Sequence, residues 1–180
     1  MHPQYQDTLH LISVLCERAP ARCLPGRLEQ LFRALSADPS IDAQQIEEAI
    51  WTLWMYHPHR AAAQALERAT SDIAAQRYDI AETRLAMLLR SRPDFPEAWN
   101  KRATLYYIQE RDEECLADLH RTLELEPRHF GALCGFGEIC LGRGDAEGAL
   151  LAFRAALRLN PHLRGIEQTC HRIAAGMRGH

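Results

Sequence analysis

The sequence predicts an all-α fold, an α-solenoid of three stacked helical hairpins with a helical cap before them and a capping helix after them. Pro93, Pro127 and Pro161 follow one another at intervals of 34 residues, a period typical of repeats made from two antiparallel helices. Between these prolines, residues of similar size recur at fixed places. One packing arrangement used three times would produce both patterns.

Small residues mark the places where the helices of each hairpin are expected to cross. By period, the three copies span residues 62–95, 96–129 and 130–163. Repeat position 8 holds Ala69, Ala103 and Gly137, and position 20 holds Ala81, Cys115 and Ala149. Small side chains there let two helices approach to about 8 Å. The prolines stand at position 32 and end each second helix, because proline lacks an amide donor and disfavours helical geometry in the residue before it.

This pattern resembles the tetratricopeptide repeat. Copy two matches that family with Trp99, Ala103, Tyr106, Leu119 and Pro127, and copy three with Leu133, Phe136, Gly137, Ala149, Phe153, Ala156 and Pro161. EAWNKRAT followed by EPRHFGAL is similar to small proteobacterial members. Copy one departs in its first helix, and Arg102 stands where leucine is usual. The resemblance implies a right-handed superhelix whose first helices line a concave groove.

Residues 1–61 are predicted to form an N-terminal helical cap. Apolar stripes at helical spacing indicate helices over Tyr5–Ala19, Arg27–Ala37 and Ala43–His57. Asp42 is the expected N-cap of the third helix. We expect these helices to cover the open end of the stack, with Trp51, Trp54 and Tyr56 mainly in a core between the cap and copy one.

The repeats are expected to extend through residue 161, followed by a capping helix and tail at 162–180. Asp79, Asp112 and Asp145 lie at or beside the start of each second helix, where a carboxylate can accept from free amides. After Pro161, one helical face carries Leu163, Ile166, Cys170 and Ile173. That face would seal the last repeat against water.

Composition narrows the functional classes. A net charge of -3 gives no indication of a nucleic-acid or anionic-membrane surface. No run of eighteen apolar residues or clear export signal is present, so we expect a cytoplasmic protein, or a periplasmic one if an export signal precedes this sequence. Cys115 and Cys140 fall on core positions, while a bridge between Cys16 and Cys23 stays open.

No residue pattern indicates catalysis. The nine histidines include no pair at the i, i+4 spacing of a helical zinc site, and no nucleophile or phosphate-binding motif is present. We therefore expect no enzyme activity, no metal and no cofactor.

The resemblance instead implies a noncatalytic scaffold that binds a protein or peptide segment in the concave groove. The residues it places there are Leu66, Thr70, Ile73, Glu97, Asn100, Lys101, Thr104, Tyr107, Ile108, Cys134, Glu138 and Leu141. The groove is mixed apolar and hydrogen-bonding, which suits an extended or helical peptide. Three alternatives stay open: a secretion or assembly chaperone that holds an unfolded client, a homodimer formed through the cap or the last helix, and an enzyme, which only a closed polar pocket with a bound metal or cofactor would support.

Overall fold

A computed structural model describes residues 3–15, 20, 24–37 and 42–178, which form ten α-helices. In chain order they are α1 Pro3–Ser13, α2 Arg27–Ala37, α3 Ala43–Trp54, α4 Arg60–Ala74, α5 Tyr78–Ser91, α6 Pro96–Ile108, α7 Asp112–Leu125, α8 Phe130–Gly142, α9 Ala146–Leu159 and α10 Arg164–Arg178. Within these residues no β-strand occurs. The all-α class predicted from the sequence is confirmed.

The backbone repeats with the same period as the sequence. Each hairpin, α4–α5, α6–α7 and α8–α9, turns through one residue with positive φ: Gln76 at 56°, Glu110 at 58° and Gly144 at 75°. The residue after each of these donates its amide to a carbonyl near the end of the first helix: Arg77 to Asp72 at 2.8 Å, Arg111 to Tyr106 at 2.9 Å and Asp145 to Cys140 at 2.9 Å. The three hairpins therefore share one turn geometry, as a solenoid requires.

The small residues at position 8 lie in the core, as predicted. Ala69 and Ala103 are 0% and 1% exposed, and Gly137 is buried as well. A Cβ atom on Gly137 would collide with the ring of Phe153 in the facing helix of the same hairpin. Glycine is thus required there because the aromatic ring at position 24 takes up the space.

Only one of the three aspartates expected near the second helices acts as a cap. Asp145 accepts the amide of Gly148 at 2.8 Å. Asp79 and Asp112 instead lie within the first turns of α5 and α7, where Arg77 and Arg111 hold the cap positions without a side-chain bond. A carboxylate in the first turn still favours the helix through its dipole.

Of the three helices predicted before the repeats, α2 has the expected bounds, whereas α1 ends at Ser13 instead of continuing to Ala19. Residues 16–19 of that prediction lie outside the described residues. Asp42 caps α3 and accepts from the amides of Gln44 and Gln45. Helix α3 ends at Trp54 rather than at His57, because Pro58 disfavours helical geometry in His57, whose ring instead accepts the His59 amide at 3.1 Å. The bridge considered for Cys16 and Cys23 lies outside the described residues.

The N-terminal helices pack against copies two and three, which corrects the expectation that they cover the front of copy one. Helix α1 contacts α7 and α9. The Tyr5 hydroxyl donates to Asp145, and Thr8 lies 3.1 Å from the His120 ring. The tryptophans of α3 likewise pack against copy three and not against copy one. Trp51 and Trp54 surround Phe130 at the start of copy three, and Tyr56 is 51% exposed.

Two apolar clusters result. The larger contains residues of α1–α3, the inner side chains Ala103 and Tyr106 of α6, and α7–α10, while the smaller joins α4 and α5 to the other side of α6. At the C-terminal end, Cys170 of α10 is 7% exposed, and Leu163, Ile166 and Ile173 pack against the larger cluster as predicted. Among the described helices, none has the length and apolar character needed to cross a membrane.

Candidate functional site

A small hollow opens between α6 and α8, the first helices of copies two and three. Its volume is about 100 Å³. It is lined by Asn100, Ala103, Thr104, Tyr107, Cys115, Leu119, Gly131, Gly135 and Glu138. Four groove residues expected from the sequence meet there, Asn100, Thr104 and Tyr107 from copy two and Glu138 from copy three. We refer to it as the α6–α8 hollow.

The remaining predicted groove residues differ in how far a partner could reach them. Ile108 is exposed, and half-buried positions are held by Thr70, Ile73, Lys101, Cys134 and Leu141. Leu66 is fully buried, because it belongs to the apolar stripe that α4 turns toward the rest of copy one. Glu97 is also fully buried, because it turns inward to bond His129. The accessible part of the predicted site is therefore centred on the hollow.

The polar side chains of the hollow present mainly acceptor atoms. Asn100 uses its amide nitrogen to donate to Glu97 at 3.2 Å, and Thr104 donates its hydroxyl hydrogen to the Asn100 carbonyl at 3.0 Å. What they can still offer to an occupant is chiefly oxygen lone pairs. The exposed carboxylate of Glu138 adds to this character, and Tyr107, 48% exposed, adds an aromatic face.

A buried polar cluster lies beside the hollow and is joined to it by the bond from Asn100 to Glu97. Glu97 lies 2.8 Å from His129 Nε2 and 3.0 Å from Lys101 Nζ. His129 Nδ1 accepts the amide of Ala132, so its proton lies on Nε2 and is donated to Glu97. Burial alone would raise the pKa of Glu97, but the bonds to His129 and Lys101 outweigh that effect and lower its pKa.

The aromatic residues of α3 pack against this buried polar cluster. Trp54 stacks on the His129 ring with a centroid distance of 4.0 Å, and the Lys101 ammonium lies 5.5 Å from the Trp51 ring. A Cβ atom on Gly131 would stand only 2.6 Å from the Trp51 ring. The protein's own chain thus covers the end of the hollow beside Gly131 and leaves the end beside Tyr107 exposed.

Sequence reasoning did not place these residues at the groove. One signal was present: Trp51 and Trp54 are three residues apart and so share one face of a helix. A second was the glycine at position 2 of copy three, where copy two has Glu97. Neither signal identifies which surface the tryptophans meet.

Neither cysteine near the groove has an activated thiol. Burial raises the pKa of Cys115, which lines the hollow, and that of Cys134 each to about 12, so both thiols stay protonated near neutral pH. Within the described ranges, no three His, Cys, Asp or Glu side chains are grouped in a way that could hold a metal ion.

Three successive helical hairpins with the same turn geometry define a helical-repeat protein. The chain belongs to the tetratricopeptide repeat family, whose model matches residues 66–114 and 116–163, more than half of the chain. A TPR repeat-containing protein of Rhizobium etli is 29% identical over 169 residues, which cover 93% of this chain and 83% of that protein. The family resemblance expected from the sequence is confirmed. Repeats of this family generally serve as noncatalytic scaffolds for protein interaction.

Proposed function

We propose that this protein is a noncatalytic scaffold that binds a segment of a partner protein at the α6–α8 hollow. The observation that supports this most is the meeting of side chains from two successive repeats around one open depression. Tyr107 and Thr104 of α6 face Glu138 of α8, with Gly131 and Gly135 leaving room between them. Residues 34 positions apart in two copies serve one site, as in a groove that follows the stack.

The chemistry of the hollow favours a partner side chain that donates hydrogen bonds. The Glu138 carboxylate and the oxygens of Asn100 and Thr104 are acceptors, and the Tyr107 ring attracts a cation over its face. A volume of about 100 Å³ suits a single side chain rather than a folded surface. The proposed occupant is therefore a lysine or arginine within an extended or helical peptide segment.

Capture of binding partners from native extract tests the site. The full chain with Tyr107→Ala and Glu138→Arg changes two exposed groove residues, so its fold should stay intact. We expect partner recovery to fall at least tenfold, which corresponds to about 1.4 kcal/mol. Tyr56→Ala is the matched control, because Tyr56 is equally exposed but lies outside the hollow. Equal recovery by the groove variant and the wild-type chain would contradict the proposal.

The same preparation separates this function from that of a chaperone for an unfolded client. If the scaffold recognises one basic side chain, a short peptide with the sequence of the captured segment should compete with the partner and displace it. If the protein is a chaperone that holds unfolded clients, unfolded chains of unrelated sequence should also displace the client. The narrow hollow supports the first outcome, because it contacts one side chain at a time.

A further inference from the structure

The front of copy one carries an uncovered apolar groove. Because α1–α3 pack against copies two and three, nothing described lies over the space between α4 and α5. This groove has a volume of about 720 Å³ and includes Ala61 and Ala65 on α4 with Ile80 and Met87 on α5. Ile80 and Met87 are 48% and 59% exposed. We call it the front groove.

The repeat itself does not require apolar residues at these two places. Copy two carries Glu114 where copy one has Ile80, and Arg121 where copy one has Met87. Both charged side chains reach water, with 48% and 40% exposure. The exposed apolar pair is thus specific to copy one, and the packing of the repeats against one another does not account for it.

Copy three shows what this face can receive. The equivalent residues are Gly148 and Ala155, and Ala155 is 3% exposed. The Tyr5 hydroxyl of α1 lies 3.1 Å from the place of a Cβ atom on Gly148. In copy three, therefore, this face of the second helix lacks charged residues and is covered, with α1 lying against it at Gly148.

We propose that the front groove is a dimer interface in which α5 packs antiparallel against α5 of a second copy. Ile80 and Met87 are two helical turns apart on one stripe. With the two-fold axis between Thr83 and Arg84, Ile80 meets Met87 of the partner subunit, and the reverse contact forms at the other end. One two-fold contact fills both front grooves and closes the assembly at two chains.

Charge along α5 favours the same arrangement. Asp79 stands in the first turn and Arg90 in the last turn. An antiparallel pair brings each Asp79 within one turn of Arg90 of the partner subunit, and it also opposes the helix dipoles. A parallel pair would bring like charges together. Arg84 lies beside the proposed axis, but its charge is paired with Asp72 of the same chain at 3.1 Å, so Asp79 and Arg90 at the two ends favour the antiparallel direction.

The ends of the stack are less suited to each other. Covering the front groove with α10 of another molecule would give an open chain of copies. The outer face of α10 is exposed and polar, with Glu167, Gln168, His171 and Arg172. Burying those groups against Ile80 and Met87 would cost free energy without providing partners for them. This α5 interface also differs from the cap and last-helix surfaces expected from the sequence.

Paired charge variants of the full chain test the proposal by sedimentation velocity. The wild-type chain should show a reversible dimer at roughly 10–100 µM. Ile80→Arg with Met87→Arg, and separately Ile80→Glu with Met87→Glu, should each be monomeric there, because like charges face each other across the axis. Mixed in equal amounts, the two variants should restore the dimer, because each arginine then faces a glutamate.

Met177→Arg is the control, since it adds the same charge at another exposed methionine, and it should leave the dimer unchanged. Far-UV circular dichroism checks that the variants keep their helices. A wild-type chain that stays monomeric at 500 µM (about 10 mg/mL) would overturn the proposal. So would a dimer that persists in both charge variants, which would place the interface elsewhere. Failure of the mixture to pair would overturn the antiparallel contact.

Discussion

Gly131→Ala should destabilise the protein, because Trp51 fills the space that a side chain would need. The added Cβ atom would stand 2.6 Å from Cη2 and 3.1 Å from Cζ2 of the tryptophan ring. Ordinary carbon contacts are about 3.5–4 Å, so the ring must shift by about 1 Å. Overpacking of this kind costs about 1–3 kcal/mol, and the better helix propensity of alanine returns less than about 1 kcal/mol. We expect a net loss of about 1–2 kcal/mol.

Gly135→Ala provides the matched comparison on the same helix. Its Cβ atom would lie 3.5 Å from Leu119, an ordinary contact, and the position is inside α8. Here the propensity gain should dominate, with up to about 1 kcal/mol of added stability. Urea unfolding should move the midpoint down by about 0.5–1 M for Gly131→Ala and up for Gly135→Ala. Shifts in the same direction would refute the assigned contact between Trp51 and Gly131.

Three further predictions concern stability. Gly144→Ala should cost about 1 kcal/mol because its φ is 75°, whereas Gly142→Ala, within α8 and equally unobstructed, should be neutral or slightly stabilising in urea unfolding. The pKa of Glu97 is lower in the folded state than in the unfolded state, so the ionised carboxylate stabilises the fold fully at pH values above the unfolded-state pKa of about 4.3. This stabilisation is lost as the pH falls through the folded-state pKa. In acid titrations of unfolding free energy, Glu97→Gln should therefore lose less stability than the wild-type chain. Arg102→Leu restores the usual residue of the repeat but should lower the free energy of unfolding by about 3–5 kcal/mol. The reason is that Asp118, which is 3% exposed and accepts a hydrogen bond from Arg102 Nε at 2.7 Å, would be left buried without its partner. Adding Asp118→Leu to this variant should recover most of the thermal stability.

The sequence predicted the repeats well because their signals are local and recur. Proline at position 32 and small residues at position 8 identify the hairpins without knowledge of distant contacts. The same local reasoning set α2 at its observed bounds and identified Asp42 as the cap of α3. Each of these depends on residues within a few turns of one another, so periodicity alone could reveal them.

The position of the N-terminal helices could not be read in this way. An apolar stripe shows that a helix face is buried, but not what covers it. Tyr5 reaches residues 135 and 140 positions later in the chain, and Glu47 bonds Asn160 from 113 positions away. These contacts follow no repeat period. The simplest prediction from the sequence was therefore that the cap covers the open end of the stack, beside copy one.

The groove was predicted in part for a related reason. The α6 positions expected to line the groove can be counted from the repeat, and Thr104 and Tyr107 are indeed exposed. Glu97 occupies such a position but turns inward, because His129, the N-cap residue at the start of the next hairpin, offers a partner 32 residues away. Counting repeat positions cannot reveal that Glu97 turns inward, because this depends on the presence of a histidine at one distant position.

The bond between Tyr5 and Asp145 has a consequence for synthesis on the ribosome. Helix α1 is made before the other helices described, yet its binding surface is incomplete until α9 has been made, about 130 residues later. At roughly 5–20 residues per second, that interval is on the order of ten seconds. During it the apolar stripe of α1 stays exposed to other nascent chains. Helix α1, although made before the other nine described helices, is therefore among the last of them to reach its native position.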